Sequence, residues 1–142
     1  MDTSTMPKSP EIAYFTMEIA LDPAVPTYSG GLGVLAGDTL RAGADLGVAM
    51  VGVTLVHRRG YFKQRLDRDG NQTEETCSWN PEQRAEPSDV RASVAIEGRS
   101  VQVRAWRWWI QGISGFRVPV LLLDTDLPEN SEWDRRLTDH LY

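Results

Sequence analysis

A glycine-rich turn that leads into a helical pattern carries the residues best suited to chemistry. The turn is the run Tyr28-Ser29-Gly30-Gly31-Leu32-Gly33. Because glycine lacks Cβ, a ligand can approach the amides of Gly30 and Gly31 closely. Ser29 is the predicted N-cap, and the unpaired N–H groups of the first helical turn lie at the positive end of the helix dipole. The turn therefore predicts a site for a phosphate or another anion.

The helix that follows the turn is predicted to lie against a sheet through one small, apolar face. Residues of that face recur at three- and four-residue spacing: Leu32, Leu35, Ala36, Leu40, Gly43, Ala44 and Gly47. An apolar run from Glu11 to Met17 predicts a buried strand before the turn, and the β-branched run from Val48 to Val56 predicts a parallel strand after the helix. Together these segments predict a βαβ unit.

The second half of the chain predicts antiparallel structure. Two alternating runs, 90–96 and 101–110, are joined by Glu97-Gly98-Arg99-Ser100 and predict a β-hairpin. The run 116–123 predicts another buried strand, in which Pro119 indicates an edge or a bulge. We expect residues 72–89 to form an irregular connection and residues 132–141 a short amphipathic helix. The predicted fold class is α/β, a mixed sheet with a βαβ start and a hairpin excursion.

Two further arrangements could carry chemistry. Glu18 and Asp124 each follow a predicted strand, so they could form a carboxylate pair or remain two separate capping or solvated groups. Trp106, Trp108 and Trp109 could form a stacking platform, although packing of one sheet face is the more common use of such a cluster.

A relaxed dinucleotide fingerprint is the alternative interpretation of the turn. It consists of Gly31, Gly33 and Gly37. The next strand ends in His57-Arg58-Arg59 in place of the usual acidic residue, which a nucleotide 2′-phosphate would accept. This pattern predicts NADP binding by a Rossmann domain.

Composition limits the classes of partner. The 142 residues carry a net charge of −5 with a pI near 5.0, which argues against nucleic acid or an anionic membrane surface as the main partner. Residues 1–10 are polar and predict a disordered lead without a signal peptide, and no apolar run is long enough to span a bilayer. With His57 and His140 as the only histidines, no metal site is predicted. We expect a cytoplasmic protein.

Several motifs in order along the chain resemble the N-terminal region of α-glucan (glycogen, starch or maltodextrin) phosphorylases. They are Ala13-Tyr14-Phe15-Thr16-Met17-Glu18, the glycine-rich turn through Asp38, Gly60-Tyr61-Phe62-Lys63-Gln64-Arg65-Leu66, Leu122-Leu123-Asp124-Thr125-Asp126, and 130–138. The likeness covers 11–142. Starch and glycogen synthases also have a Gly-Gly-Leu-Gly turn, but a lysine shortly precedes theirs and Thr27, Tyr28 and Ser29 stand here.

The resemblance implies a GT-B-type glycosyltransferase, of which residues 11–142 would be an incomplete Rossmann-like N-terminal domain. The implied reaction is reversible phosphorolysis of a terminal α-1,4-linked glucose by inorganic phosphate, giving glucose 1-phosphate. Gly30, Gly31 and Leu32 match the glycine loop of the family, which faces the substrate phosphate and the sugar. Glu18 matches a glutamate that lines the cleft.

The family also uses pyridoxal phosphate, and its full-length members can be homodimers. Ala20 replaces an early tyrosine that some members place near this cofactor. The lysine that binds the cofactor and the basic residues that bind phosphate correspond to positions beyond Tyr142. The chain alone is therefore expected to bind no cofactor covalently and to be inactive. The non-enzymatic alternative is a fragment that binds a glucan or a partner through Trp106–Trp109.

Overall fold

A five-stranded mixed sheet organises residues 9–142, the part of the chain that the computed structural model describes. Along the chain the elements are β1 (Ile12–Phe15), α1 (Gly31–Asp45), β2 (Met50–Leu55), β3 (Lys63–Leu66), β4 (Gln72–Glu75), β5 (Glu86–Ile96), β6 (Arg99–Gln111) and β7 (Arg117–Asp124). The predicted α/β class with a mixed sheet is confirmed. The predicted lead falls largely on residues 1–8, which lie outside the described residues.

The strand order of the sheet is β1-β2-β7-β6-β5, and β3 and β4 form a separate antiparallel hairpin. β1, β2 and β7 run parallel, with α1 as the crossover between the first two, so the predicted βαβ unit is confirmed. β5 and β6 form the predicted hairpin. Its turn needs only Glu97 and Gly98, whose φ angles of 49° and 78° suit a tight two-residue connection.

Helix α1 packs on the sheet through small residues, which let the two backbones approach closely. Its buried positions are Gly33, Ala36, Gly37, Leu40, Gly43 and Ala44. The predicted face was wrong at three positions, because Leu32 and Leu35 are exposed and Gly47 lies beyond the end of the helix. Two positions of this row have no space for a larger residue than glycine. A Cβ at Gly37 would overlap the carbonyl oxygen of Ala20, and one at Gly43 would overlap Met50.

Two predictions about strand position were wrong. β1 is an edge strand whose side chains are largely exposed, Phe15 by 75%, because it pairs only with β2. β7 is an internal strand despite Pro119. The pairing of β7 with β2 begins at Val120, so the missing N–H of Pro119 removes no hydrogen bond from that ladder.

Two predictions about local structure were also wrong. The segment 72–89 contains β4 and the start of β5, so it is not irregular throughout. The segment 132–141 forms only a 3₁₀ turn, Asp134–Arg136. Its later carbonyl groups bind outside the segment, since Thr138 and Asp139 accept the N–H groups of His57 and Arg59 at 2.9 and 2.8 Å. No helix within residues 9–142 is long and apolar enough to cross a membrane.

Candidate functional site

Glu18 and the glycine-rich turn form one site at the start of α1. Glu18 follows β1 and is 3% exposed. Its Oε2 accepts the N–H of Ser29 at 2.5 Å, the hydroxyl of Ser29 at 3.2 Å and the N–H of Gly30 at 3.3 Å. The negative group at the turn is thus the chain's own carboxylate, held where amide groups and the helix dipole favour an anion.

Ser29 does not cap the helix, so that prediction was wrong. The N-cap is Gly30, and it makes no side-chain capping bond. The Ser29 hydroxyl points to Glu18 because the carboxylate accepts from both the backbone and the side chain of this residue. Sequence reasoning missed this partnership, since the two residues are eleven positions apart.

The amides of Gly31 and Leu32 are not used within the helix. The first backbone hydrogen bond at the N-terminus of the helix runs from the N–H of Val34 to the carbonyl of Gly30 at 3.2 Å. A Cβ added at Gly30 or Gly31 would meet no atom within 4 Å. Packing of the chain therefore does not require glycine at these two positions, and the space beside their backbone is open.

Gly33 differs from its neighbours in the turn. A Cβ there would overlap Tyr28 and would lie 3.3 Å from Oε2 of Glu18. This glycine lets the helix approach the carboxylate, whereas Gly30 and Gly31 leave open space. The structure thus brings the predicted residues Glu18, Gly30, Gly31 and Leu32 together around one turn.

His57 is a buried part of the same region. It follows β2 and is 3% exposed. Its Nε2 lies 3.0 Å from the carbonyl oxygen of Met17, and its Nδ1 lies 3.0 Å from that of His140. Burial lowers the pKa of His57, against the opposing effects of these two carbonyl groups and of the Glu18 carboxylate. The apolar run leading into His57 was the one sequence signal of its burial.

Asp124 is the centre of a second buried polar cluster. Its Oδ2 accepts from Nη2 of Arg58 at 2.8 Å, Nε of Arg104 at 2.9 Å and Nε1 of Trp106 at 2.8 Å. Burial alone would raise the pKa of Asp124, but the bonds from Trp106, Arg58 and the N–H of Asp126, with the charge of Arg58, hold it below its usual range. Asp124 and Glu18 share none of these partners, so the structure does not support a catalytic carboxylate pair.

The NADP interpretation finds no matching site. Arg58 binds Asp124, and Nε of Arg59 lies 3.7 Å from Asp139. Gly37, the last glycine of the fingerprint, is packed against Ala20. Arg58 is thus occupied by a buried carboxylate and Gly37 is closed by packing, and only Arg59 of this set is exposed.

The three tryptophans of the predicted cluster lie in different environments. Trp106 is buried in the core and Trp108 packs against it, which confirms that these two residues serve packing. Nε1 of Trp109 donates to Glu86 at 3.0 Å, and the guanidinium of Arg117 lies 4.2 Å from the ring centroid. The three rings do not form one platform for a glucan. Among residues 9–142, no three His, Cys, Asp or Glu side chains are grouped as a metal site would require.

Comparisons with known proteins identify the relatives of the chain. No family model matches the sequence. The maltodextrin phosphorylase of Thermococcus litoralis is 38% identical over 138 residues, and the glycogen phosphorylase of Mycobacterium tuberculosis is 44% identical over 138 residues. The glycogen phosphorylase of Aquifex aeolicus is 30% identical over 139 residues.

Each of these matches covers 92% of this chain but only 16 to 19% of the relative. The resemblance that the motifs predict is therefore confirmed. The chain is similar to the N-terminal portion of the α-glucan phosphorylases.

Proposed function

We propose that this chain supplies one part of the active site of an α-glucan phosphorylase. The reaction is reversible phosphorolysis of a terminal α-1,4-linked glucose, with inorganic phosphate as the acceptor and glucose 1-phosphate as the product. Similarity to glycogen and maltodextrin phosphorylases along 92% of the chain supports this assignment. The observation that carries it is the open glycine turn, in which Gly30 and Gly31 have free space where a Cβ would lie, beside the buried carboxylate of Glu18.

The geometry suggests which groups of the turn would bind the phosphate and which would bind the sugar. Glu18 already accepts from the amides of Ser29 and Gly30 and repels a second anion at those groups. The amides of Gly31 and Leu32, both exposed residues of the first turn, remain for phosphate oxygens at the positive end of the helix dipole. Within residues 9–142 no cationic side chain pairs with Glu18, which is suited to accept a hydrogen bond from a sugar hydroxyl.

For the whole enzyme, the proposal includes pyridoxal phosphate as the cofactor and a second domain that completes a GT-B fold. It also includes a homodimer and a cytoplasmic location. The residues described here do not fit a pyridoxal phosphate linkage. The one lysine within residues 9–142 is Lys63, an exposed residue of the β3–β4 hairpin. We assign no step through the cofactor to this chain, and the prediction stands that it is inactive alone.

A titration of the labelled chain tests the glycine turn directly. Inorganic phosphate and glucose 1-phosphate should shift the amide NMR signals of Gly30, Gly31 and Leu32 more than those of other residues. Gly31→Ala should fold, because its Cβ has room and alanine favours a helix by up to about 1 kcal/mol over glycine. The added methyl occupies the approach to the amides, so affinity should fall at least about tenfold, or about 1.4 kcal/mol.

Leu35→Ala is the matched control. Leu35 is 60% exposed and lies one helical turn beyond Gly31, so its truncation should leave both ligands' affinities unchanged. Equal binding by Gly31→Ala and the unmodified chain would contradict the proposed role of the turn. The absence of localised shifts with both ligands at millimolar concentration would contradict an anion site in this chain.

A further inference from the structure

We propose that His57 is a positioning residue that holds Glu18 against the glycine turn. This inference rests on the proposed function only for what Glu18 does in the enzyme. The motifs that identify the relatives include Glu18 and the turn, whereas they do not include His57.

The link from His57 to Glu18 runs through one peptide group. Nε2 of His57 lies 3.0 Å from the carbonyl oxygen of Met17, and that carbonyl belongs to the peptide bond that joins Met17 to Glu18. On the other side of Glu18, its own carbonyl accepts the hydroxyl of Thr16 at 2.7 Å. The orientation of the Glu18 backbone therefore depends on two side-chain bonds, one of which His57 makes.

His57 is itself fixed from several directions. Its N–H donates to the carbonyl of Thr138 at 2.9 Å, and its carbonyl accepts from Nε1 of Trp79 at 3.0 Å. Nδ1 faces the carbonyl of His140. These contacts join the ends of β1 and β2 to the C-terminal segment, so a shift of the imidazole would require several elements to move together.

The backbone of His57 adopts a conformation that is uncommon for residues with a side chain. Its φ is +45°, in the left-handed region that glycine and asparagine adopt most readily. A strained residue persists where its surroundings over-determine it, and such positions are concentrated at functional sites. Glycine or asparagine would suit this φ better, but neither side chain extends to the Met17 carbonyl as the distal nitrogen of imidazole does.

The proposal requires that Nε2 of His57 carries the proton. A neutral imidazole donates from only one nitrogen, while both nitrogens of His57 face carbonyl oxygens. The Glu18 carboxylate interacts electrostatically with this ring. A proton on Nε2 makes the contact with the Met17 carbonyl a donated hydrogen bond, and the proposal assigns it so.

Two carboxamide variants separate positioning from general structural support. In His57→Gln the side-chain NH₂ can occupy the place of Nε2 and reach Met17. In His57→Asn the shorter side chain reaches only the place of Nδ1, toward His140. Asparagine tolerates the left-handed backbone better than glutamine, so a purely structural role predicts that His57→Asn is the milder change.

Amide hydrogen exchange of Ser29 and Gly30 is the readout, because both N–H groups bind Oε2 of Glu18. Relative to amides of β2 and β7, exchange at these two positions should rise about tenfold in His57→Asn and less than about threefold in His57→Gln. Glu18→Ala gives the reference increase, and adding His57→Asn to it should produce no further rise at Ser29 and Gly30.

The opposite order of the two variants, or equal effects of both, would overturn the proposal. An additional rise in the double variant would also overturn it, because His57 would then act on the turn without Glu18. The experiment contains no phosphate and no sugar, so its result is independent of the ligand titration. A failed titration with the expected exchange pattern would refute the proposed function and leave the positioning role intact.

Discussion

Glu18 and Asp124 are both buried carboxylates after parallel strands, but they differ in the charge of their partners. Glu18 accepts from two amides and a hydroxyl of the glycine turn, and the hydroxyl of Tyr142 lies 3.5 Å from its Oε1. Asp124 accepts from two guanidinium groups and an indole. Neutral donors leave the charge of Glu18 uncompensated for a ligand, whereas cations compensate that of Asp124. Burial of a carboxylate alone therefore does not identify a functional site.

The largest effect is expected at Asp124. Asp124→Asn leaves Arg58 and Arg104 without their shared anion, and breaking a buried pair in this way costs about 3 to 5 kcal/mol. We expect a loss of unfolding free energy near the lower end, because Arg104 is partly exposed. Urea unfolding measures it. Asp38→Asn, which removes an exposed ion pair with Arg41, is the control and should change stability by less than about 1 kcal/mol.

A smaller effect is expected in acid, and it follows from the lowered pKa of Asp124. A carboxylate with a depressed pKa in the folded state stabilises the fold fully above its unfolded pKa of about 3.9 and loses that contribution as pH falls through the folded pKa. Unfolding free energies measured from about pH 5 down to pH 2 should therefore fall more steeply for the unmodified chain than for Asp124→Asn. If the unfolding free energies of the two proteins fell equally with pH, the cations around Asp124 would not stabilise its charge more than the neutral donors stabilise that of Glu18.

The smallest effect on stability is expected at Glu18. Glu18→Gln retains an oxygen acceptor for Ser29 and Gly30 and removes only the charge near the helix N-terminus, which is worth about 0.3 to 1 kcal/mol. Because the Glu18 charge favours protonation of His57, the substitution should also lower the pKa of His57. NMR titration of the imidazole checks this shift. A loss of stability as large as that of Asp124→Asn would make Glu18 a second structural anchor.

Local sequence patterns predicted where most helices and strands lie better than they predicted strand order and burial. Periodicity and turn residues identified the βαβ unit and the β5–β6 hairpin, because both join neighbouring segments of the chain. The exposure of β1 and the internal position of β7 depend on strand order, which periodicity does not encode. The predicted helix at 132–141 failed because residues of the distant segment 57–60 compete for its backbone groups.

At the candidate site, too, local patterns identified individual residues but not their long-range contacts. The glycines of the turn and Glu18 were identified from residue type and motif, and the structure brings them together. Three interactions were not predicted: the bond from Ser29 to Glu18, the contact of His57 with Met17, and the arginines around Asp124. Each joins residues that are far apart in the sequence, so only the folded chain reveals them.

The placement of β7 beside β2 has a kinetic consequence. Their paired residues, such as Gly52 and Val120, are about 70 positions apart, and two hairpins are formed between them. A chain emerging from the ribosome presents β1, α1 and β2 long before β7 is available, so the second edge of β2 stays unpaired meanwhile. Such non-local pairing slows folding, because closure of the intervening loop precedes the contacts that stabilise it. The early βαβ unit is thus the species most exposed to wrong strand pairing during synthesis.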